Sequence, residues 1–197
     1  MTAGNGTGDS PAAGDAMAAG TSSAAGATRT VTNVVLAGLG GQGVIKASDI
    51  LADAALRAGF DVKKAEIHGM SQRGGSVTSD VRFGRKVLSP MVPRGEADYL
   101  VVMAESEVEV ARPLLREGGV LLSPDLIPDA ELPNKRSLNV ALLGALSLYL
   151  DLPTDALLSA VEAAQPDRLH AVNERAFELG RRVASAEAGA ATGRSHA

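Results

Sequence analysis

Two short stretches hold the residue types best suited to chemistry. The first is Gly38-Leu39-Gly40-Gly41-Gln42-Gly43, set between an apolar run and a segment of helical periodicity. Glycines permit positive φ and close approach of the main chain, and a helix beginning just after them offers amide hydrogens and the positive end of its dipole. That combination suits a phosphate or another anion. The spacing also satisfies the dinucleotide fingerprint G-x-G-x-x-G, a weak match when it stands alone. The second stretch is His68-Gly69-Met70-Ser71-Gln72-Arg73-Gly74-Gly75-Ser76. In it Gly74 and Gly75 allow close backbone approach, Arg73 can form paired hydrogen bonds to a carboxylate or phosphate, and His68 and Gln72 can orient polar groups.

Several chemistries fall away on inspection of the same residues. Ser71 lies in Gly69-Met70-Ser71-Gln72-Arg73, with arginine where a nucleophile elbow needs its second glycine, which argues against a serine hydrolase. His170 and His196 are far from His68 in the chain, and their spacing fits no metal motif. The chain has no cysteine, so it offers no thiolate for zinc, for an iron–sulfur cluster or for nucleophilic attack. Any such redox centre must belong to a partner. A formal net charge of -4 points to small molecules or proteins as ligands rather than nucleic acid or an anionic membrane. A nicotinamide enzyme would need a carboxylate about 20 residues beyond the glycines, and Glu66 could serve, but no substrate-binding half with a catalytic His or Lys follows it.

The elements that must position these stretches can be read from periodicity. Val34 to Ala37 is a continuous apolar run ending in glycine, as in a central parallel strand covered on both faces. Val44 to Ala58 has a helical pattern, with Val44, Ser48, Leu51 and Ala55 on one face and Lys46, Asp49, Asp53 and Arg57 on the other, and Gly59 ends it. Asp61 to Ile67 follows as a second strand. The strand, glycine loop, helix and strand make a βαβ-like unit, whose ligand crevice lies at the carboxyl ends of the strands, so both glycine-bearing stretches should face one space. Val77, Ser79, Val81 and Phe83 alternate with polar residues, and Gly84-Arg85 is read as turning the chain back into Lys86-Val87-Leu88, a hairpin. Tyr99 to Met103 is a strand, Ser106 to Arg116 a helix stopped by Gly118-Gly119, and Val120 to Ser123 a further strand.

The remaining stretches complete one domain. Pro124 to Pro133 is a proline-punctuated loop, Ser137 to Leu150 a buried helix too short for a bilayer span, Thr154 the N-cap of a helix to about Ala164, and Asn173 the start of the last helix. Together these predict an α/β, Rossmann-like three-layer fold with a mostly parallel sheet and an inserted β-hairpin, over residues 30–184. Residues 1–29, rich in Ala, Gly, Ser and Thr and without a basic start or apolar core, read as a disordered tail rather than a signal peptide, and 185–197 as a second tail. A cytoplasmic location and no membrane contact follow from that reading.

At this point the ordered motifs resemble a known family, the gamma-type domain of 2-oxoacid:ferredoxin oxidoreductases, with its indolepyruvate branch nearest. The resemblance rests on Gly38 to Gly43 and Glu66 to Val77, and on Val81-Arg82-Phe83-Gly84, Val87 to Pro93, Gly95-Glu96-Ala97-Asp98, Asn139 to Ala145 and Asn173 to Gly180. It spans Thr32 to Arg182. It implies an accessory subunit of an enzyme that oxidatively decarboxylates a 2-oxoacid such as an arylpyruvate to an acyl-CoA, with ferredoxin as electron acceptor. Thiamine diphosphate and iron–sulfur clusters would belong to a large alpha-type partner, and coenzyme A would approach near this domain. Carried onto this chain, Gly38, Gly40, Gly41, Gln42 and Gly43 would form the anion-facing loop. His68, Gln72, Arg73, Gly74 and Gly75 would face the partner or cofactor crevice, with no catalytic residue and no metal ligand here. Relative to the family pattern, the stretch between Ser123 and Asn139 is short. A free-standing NAD(P)-binding oxidoreductase and a non-catalytic nucleotide-binding scaffold are the alternatives the residues leave open.

Overall fold

A computed structural model describes Met1 and residues 30–68 and 74–194. The predicted tail over 1–29 lies outside the described residues apart from Met1, as do Gln72, Arg73 and the side chain of His68. The chain runs β1 (Val31–Leu39), α1 (Val44–Arg57), β2 (Asp61–His68), β3 (Ser76–Gly84), β4 (Ala97–Val102), α2 (Glu105–Ala111), β5 (Leu115–Leu122), α3 (Leu138–Leu146), α4 (Thr154–Ala163) and α5 (His170–Arg194). Short 3-10 turns join several of them.

The five strands lie in the order β2-β3-β1-β4-β5. β1 is parallel to β4 and β4 to β5, whereas β3 runs antiparallel to both β1 and β2. Four strands therefore point one way and β3 alone runs against them. The α/β class with a mostly parallel sheet and helices on both sides agrees with the sequence reading. Val34, Val35, Leu36 and Ala37 of β1 are all fully buried because alternate side chains enter different cores. Val34 and Leu36 meet the large core under α1, α3, α4 and α5, whereas Val35 and Ala37 meet a smaller one beneath α2.

The inserted hairpin differs from the expected one. β3 does not turn back onto Lys86-Val87-Leu88; it pairs with β2 on one side and β1 on the other, so the hairpin is β2–β3 and it splits the βαβ unit. The 86–88 run is loop, tied down where the Val87 amide donates to Asp61 Oδ2 at 2.8 Å. The helix expected to reach Arg116 stops at Ala111, where a 3-10 turn over Arg112–Leu114 containing Pro113 takes over, and Gly118-Gly119 lie inside β5 rather than ending a helix. Pro153 rather than Thr154 occupies the N-cap position of α4. α5 begins at His170 and continues to Arg194, so the tail expected from 185 is helical over most of its length, as its Ala and Glu content favours. Where α3 crosses α5 the backbones touch. A Cβ on Gly144 would overlap the Phe177 carbonyl, and one on Gly180 the Ala141 carbonyl.

Candidate functional site

The loop between β1 and α1 is shaped by its own backbone and by one side chain. The Gln42 amide donates to the Leu39 carbonyl at 3.1 Å, and Gln42 Oε1 accepts the Leu39 amide at 2.7 Å. Gln42 thus braces the turn instead of reaching out through its carbonyl. Gly41 and Gly43 take φ of 95° and 85°, the left-handed region that a side chain resists. Gly43 is also crowded, because a Cβ there would lie 2.5 Å from Asn139 Nδ2 of α3. That amide donates to the Gly43 carbonyl at 3.3 Å and ties the buried helix α3 to the loop. Gly38, within β1, is closely surrounded, since a Cβ would approach Gln42 Oε1 at 2.9 Å and the Val44 and Met103 side chains at 3.0 and 3.1 Å.

Helix α1 begins directly after Gly43 with no side-chain cap and no acid in its first turn. Its amide-rich, electropositive end therefore faces the loop unneutralised by side chains. The second glycine stretch reaches the same edge. The Gly40 amide donates to the Gly75 carbonyl at 2.9 Å, so Gly38 to Gly43 and Gly74-Gly75 form one continuous rim. His68 closes β2 opposite Val77, one strand further out. Glu107, which sequence reasoning missed, sits on α2 with its carboxylate accepting the Ser76 hydroxyl at 2.7 Å, fixing the first residue of β3 beside that rim.

Two hollows flank the loop. One of about 240 Å³ is lined by Leu39, Gly40, Gly41, Val44 and Val77, among others. A larger one, about 440 Å³, lies between the loop and the start of α3 and is lined by Gln42, Gly43, Lys46, Lys135, Arg136, Asn139 and Gln165, among others. Lys46 Nζ donates to the Ala164 carbonyl at 3.3 Å. Lys135 and Arg136 are exposed on a 3-10 turn ordered by Asn134, whose Oδ1 accepts the Arg136 amide at 2.8 Å. Among the described residues none of these three cations pairs with a carboxylate. Lys135 and Arg136 were not foreseen. Their signal was available, because two cations just before a helix start oppose its dipole and so need another reason to be there.

Glu66 is placed differently from a ribose-binding acid. It pairs across to Ser79 of β3, which in turn pairs with Leu36, so a whole strand separates β2 from the strand that carries the loop. Its carboxylate instead meets Lys64 Nζ at 2.7 Å. Lys64 also contacts Asp49 of α1; burial pulls its ammonium pKa down, but these two carboxylates outweigh burial and hold it above the ordinary lysine value. This is a structural ion network. Among the described residues no group of His, Asp and Glu side chains could hold a metal ion, and no helix is long and apolar enough to cross a membrane.

A family model described as pyruvate ferredoxin/flavodoxin oxidoreductase matches residues 33–133. The chain belongs to that family. Within it, the chain is 34% identical over 194 residues to the indolepyruvate oxidoreductase subunit IorB of Thermococcus kodakarensis, covering 77% of this chain and 95% of that one. The gamma subunit of a keto/oxoacid ferredoxin oxidoreductase from Geobacter sulfurreducens superposes with a TM-score of 0.67 at 26% identity, over 79% of this chain and 99% of that one. A 2-oxoglutarate:ferredoxin oxidoreductase from Magnetococcus marinus, solved with 2-oxoglutarate, coenzyme A and succinyl-CoA bound, shares the fold with a TM-score of 0.69 at 22% identity. The match covers 80% of this chain and 32% of that one. This family member thus has the fold of small-subunit relatives, and of one segment within a longer chain.

Proposed function

We propose that this chain is the accessory subunit of a thiamine diphosphate-dependent 2-oxoacid:ferredoxin oxidoreductase of the indolepyruvate or arylpyruvate type. The observation that carries the reading is the joined rim, in which Gly40 and Gly75 bond across two loops in a chain that matches a small-subunit relative almost end to end. With no cysteine, the chain cannot hold iron–sulfur clusters through thiolates, so in this reading clusters sit on the large partner subunit. The same reading gives thiamine diphosphate to that subunit and has ferredoxin receive the electrons from the assembled complex.

Coenzyme A fits the donor set at the rim. Its phosphates are multiply charged, and the loop offers an uncapped helix start with Lys46, Lys135 and Arg136 around a hollow of about 440 Å³. When bound, coenzyme A supplies the thiol that accepts the acyl group. The chain's own part is to hold phosphates with the loop backbone and the three cations. Gln42 and Asn139 keep the loop's shape.

Purification of the native complex tests the assignment. A thiamine- and iron-bearing subunit should accompany the chain and reduce a viologen dye with indolepyruvate only when coenzyme A is present. Purification without such a subunit, or turnover indifferent to removal of this chain, refutes it.

A further inference from the structure

The bond that joins the two glycine stretches, from the Gly40 amide to the Gly75 carbonyl at 2.9 Å, is only as firm as the placement of Gly75. The approach there is close, since a Cβ on Gly40 would lie 3.4 Å from the Gly74 nitrogen and 3.8 Å from the Gly75 carbonyl oxygen. Gly75 immediately precedes β3, and β3 is thinly held at that end. Its first residue, Ser76, pairs with Leu39 of β1, whereas β2 stops at His68 opposite Val77. Among the described residues Ser76 therefore has a ladder neighbour on one side only. A strand end held in this way frays readily, and fraying here would carry the Gly75 carbonyl away from Gly40.

A side chain from outside the ladder supplies the missing tie. Glu107 of α2 accepts the Ser76 hydroxyl at 2.7 Å across 31 positions of sequence. Glu105 and Glu109 of the same helix are exposed, as acids usually are, but Glu107 is only 9% exposed. Burying a carboxylate costs free energy unless hydrogen-bond donors replace its water, and Ser76 is such a donor. Glu107 is the third residue of α2, where a glutamate commonly reaches back to cap its own helix; here the carboxylate is committed to β3. The helix does not depend on this contact for its seat, because Val108 and Ala111 already pack into the small core beneath it. An ionised acceptor also makes a stronger hydrogen bond than a neutral one.

We propose that Glu107 is a positioning residue for the glycine rim: through Ser76 it holds the start of β3, and with it the Gly75 carbonyl, where the Gly40 amide can close the anion-facing loop. It acts through Ser76 and needs no contact with a ligand. The link to the rim rests on geometry alone, whereas the link to turnover rests on the accessory-subunit reading and its coenzyme A site. A ligand that requires the closed rim binds more weakly in proportion as the closed population falls.

Amide exchange in the full, free chain tests the rim directly. Glu107→Ala should speed exchange of the Gly40 amide at least about tenfold, as expected for losing a hydrogen bond to a charged group, while Leu36 of β1 and Leu51 of α1 exchange as in the wild type. Ser76→Ala, at an exposed position where folding is not at risk, should do the same. The two together should do no more than either alone, because they break one contact. Glu107→Gln keeps an acceptor and should fall between the wild type and Glu107→Ala. In the complex with a thiamine- and iron-bearing subunit, Glu107→Ala and Ser76→Ala should each raise the KM for coenzyme A at least about threefold and leave that for the 2-oxoacid unchanged. The positioning role is overturned by Gly40 exchange unaltered in Ser76→Ala, by additive effects in the double variant, or by acceleration spread equally over Leu36 and Leu51. It is overturned as well by Glu107→Gln exchanging as fast as Glu107→Ala, or by an unchanged KM for coenzyme A. A wild-type complex that turns over without coenzyme A overturns the functional reading instead, an outcome independent of anything measured at Gly40.

Discussion

Gly43→Ala probes whether the shape of the loop makes the site. At a φ of 85° a side chain brings strain of about 1–2 kcal/mol. The new Cβ would also lie 2.5 Å from Asn139 Nδ2 and 3.3 Å from its Cγ, and Asn139, only 6% exposed, has nowhere to swing. Overpacking of this kind costs about 1–3 kcal/mol, and displacing the amide from the Gly43 carbonyl removes a hydrogen bond of about 1 kcal/mol. Together a loss of about 3–6 kcal/mol lowers the thermal midpoint by roughly 6–24 °C for a domain of this size. Gly41→Ala is the internal reference. Its φ of 95° imposes the same strain, but no atom lies within 4 Å of the added Cβ, so it should lose only about 1–2 kcal/mol. Placing Gly43→Ala in an Asn139→Ala background removes both the collision and the hydrogen bond, and the Gly43 penalty should fall to that of Gly41, a coupling of about 2–4 kcal/mol. Thermal and urea unfolding followed by circular dichroism measure all four proteins. Equal losses at Gly41 and Gly43, or additive losses in the double variant, refute the idea that Asn139 and the loop are fitted to each other.

Lys135→Ala combined with Arg136→Ala should raise the KM for coenzyme A about tenfold and leave that for the 2-oxoacid near its wild-type value; a parallel rise in both contradicts the phosphate assignment. Burial pushes the Asp80 carboxyl above the ordinary value of 3.8, against the opposing pull of the Val92 amide and Arg82. Ionising it therefore costs the native state stability as pH rises from the ordinary carboxylate range through the higher folded value. Asp80→Asn, which keeps an acceptor for Val92, should gain on the wild type as pH rises from about 3 to about 7, and a flat difference in urea melts rejects the shift. Gly144→Ala should lower stability by more than about 3 kcal/mol, because the added methyl overlaps the Phe177 carbonyl and forces α3 from α5. A melt unchanged from the wild type would mean the two helices separate at little cost.

The features legible in the chain were those written into local pattern. β1, the glycine turn and α1 combine an apolar run, glycines and a 3.6-residue period in one continuous stretch, and the start of α1 at Val44 agrees with the expected residue. The alternation along β3 correctly marked a strand but said nothing about its neighbours, because period 2 reports faces and not partners. Lys86-Val87-Leu88 looked like a return strand since two apolar residues stand together, whereas Val87 is buried and Leu88 exposed in a loop fixed by distant carboxylates. Glu107 and Asn139 acquire their places through contacts with residues 31 and 96 positions away, which no local window contains. At Lys135 and Arg136 the proline-rich context, which reads only as loop, outweighs the signal of two cations set just before a helix start.

The antiparallel placement of β3 also orders events during synthesis. Both ladder partners of β1 lie downstream of it, β3 at Ser76–Gly84 and β4 at Ala97–Val102. β1 therefore leaves the ribosome with no strand to join, and Val34 to Ala37 have no ladder partner until Thr78 to Val81 have followed. The β2–β3 hairpin, local in sequence, can close first and then offer its free edge to β1. The nascent glycine turn is completed late, since Gly40 has no carbonyl to meet before Gly75 arrives. A chain truncated before residue 74 would keep all of the fingerprint glycines and still lack the rim they build.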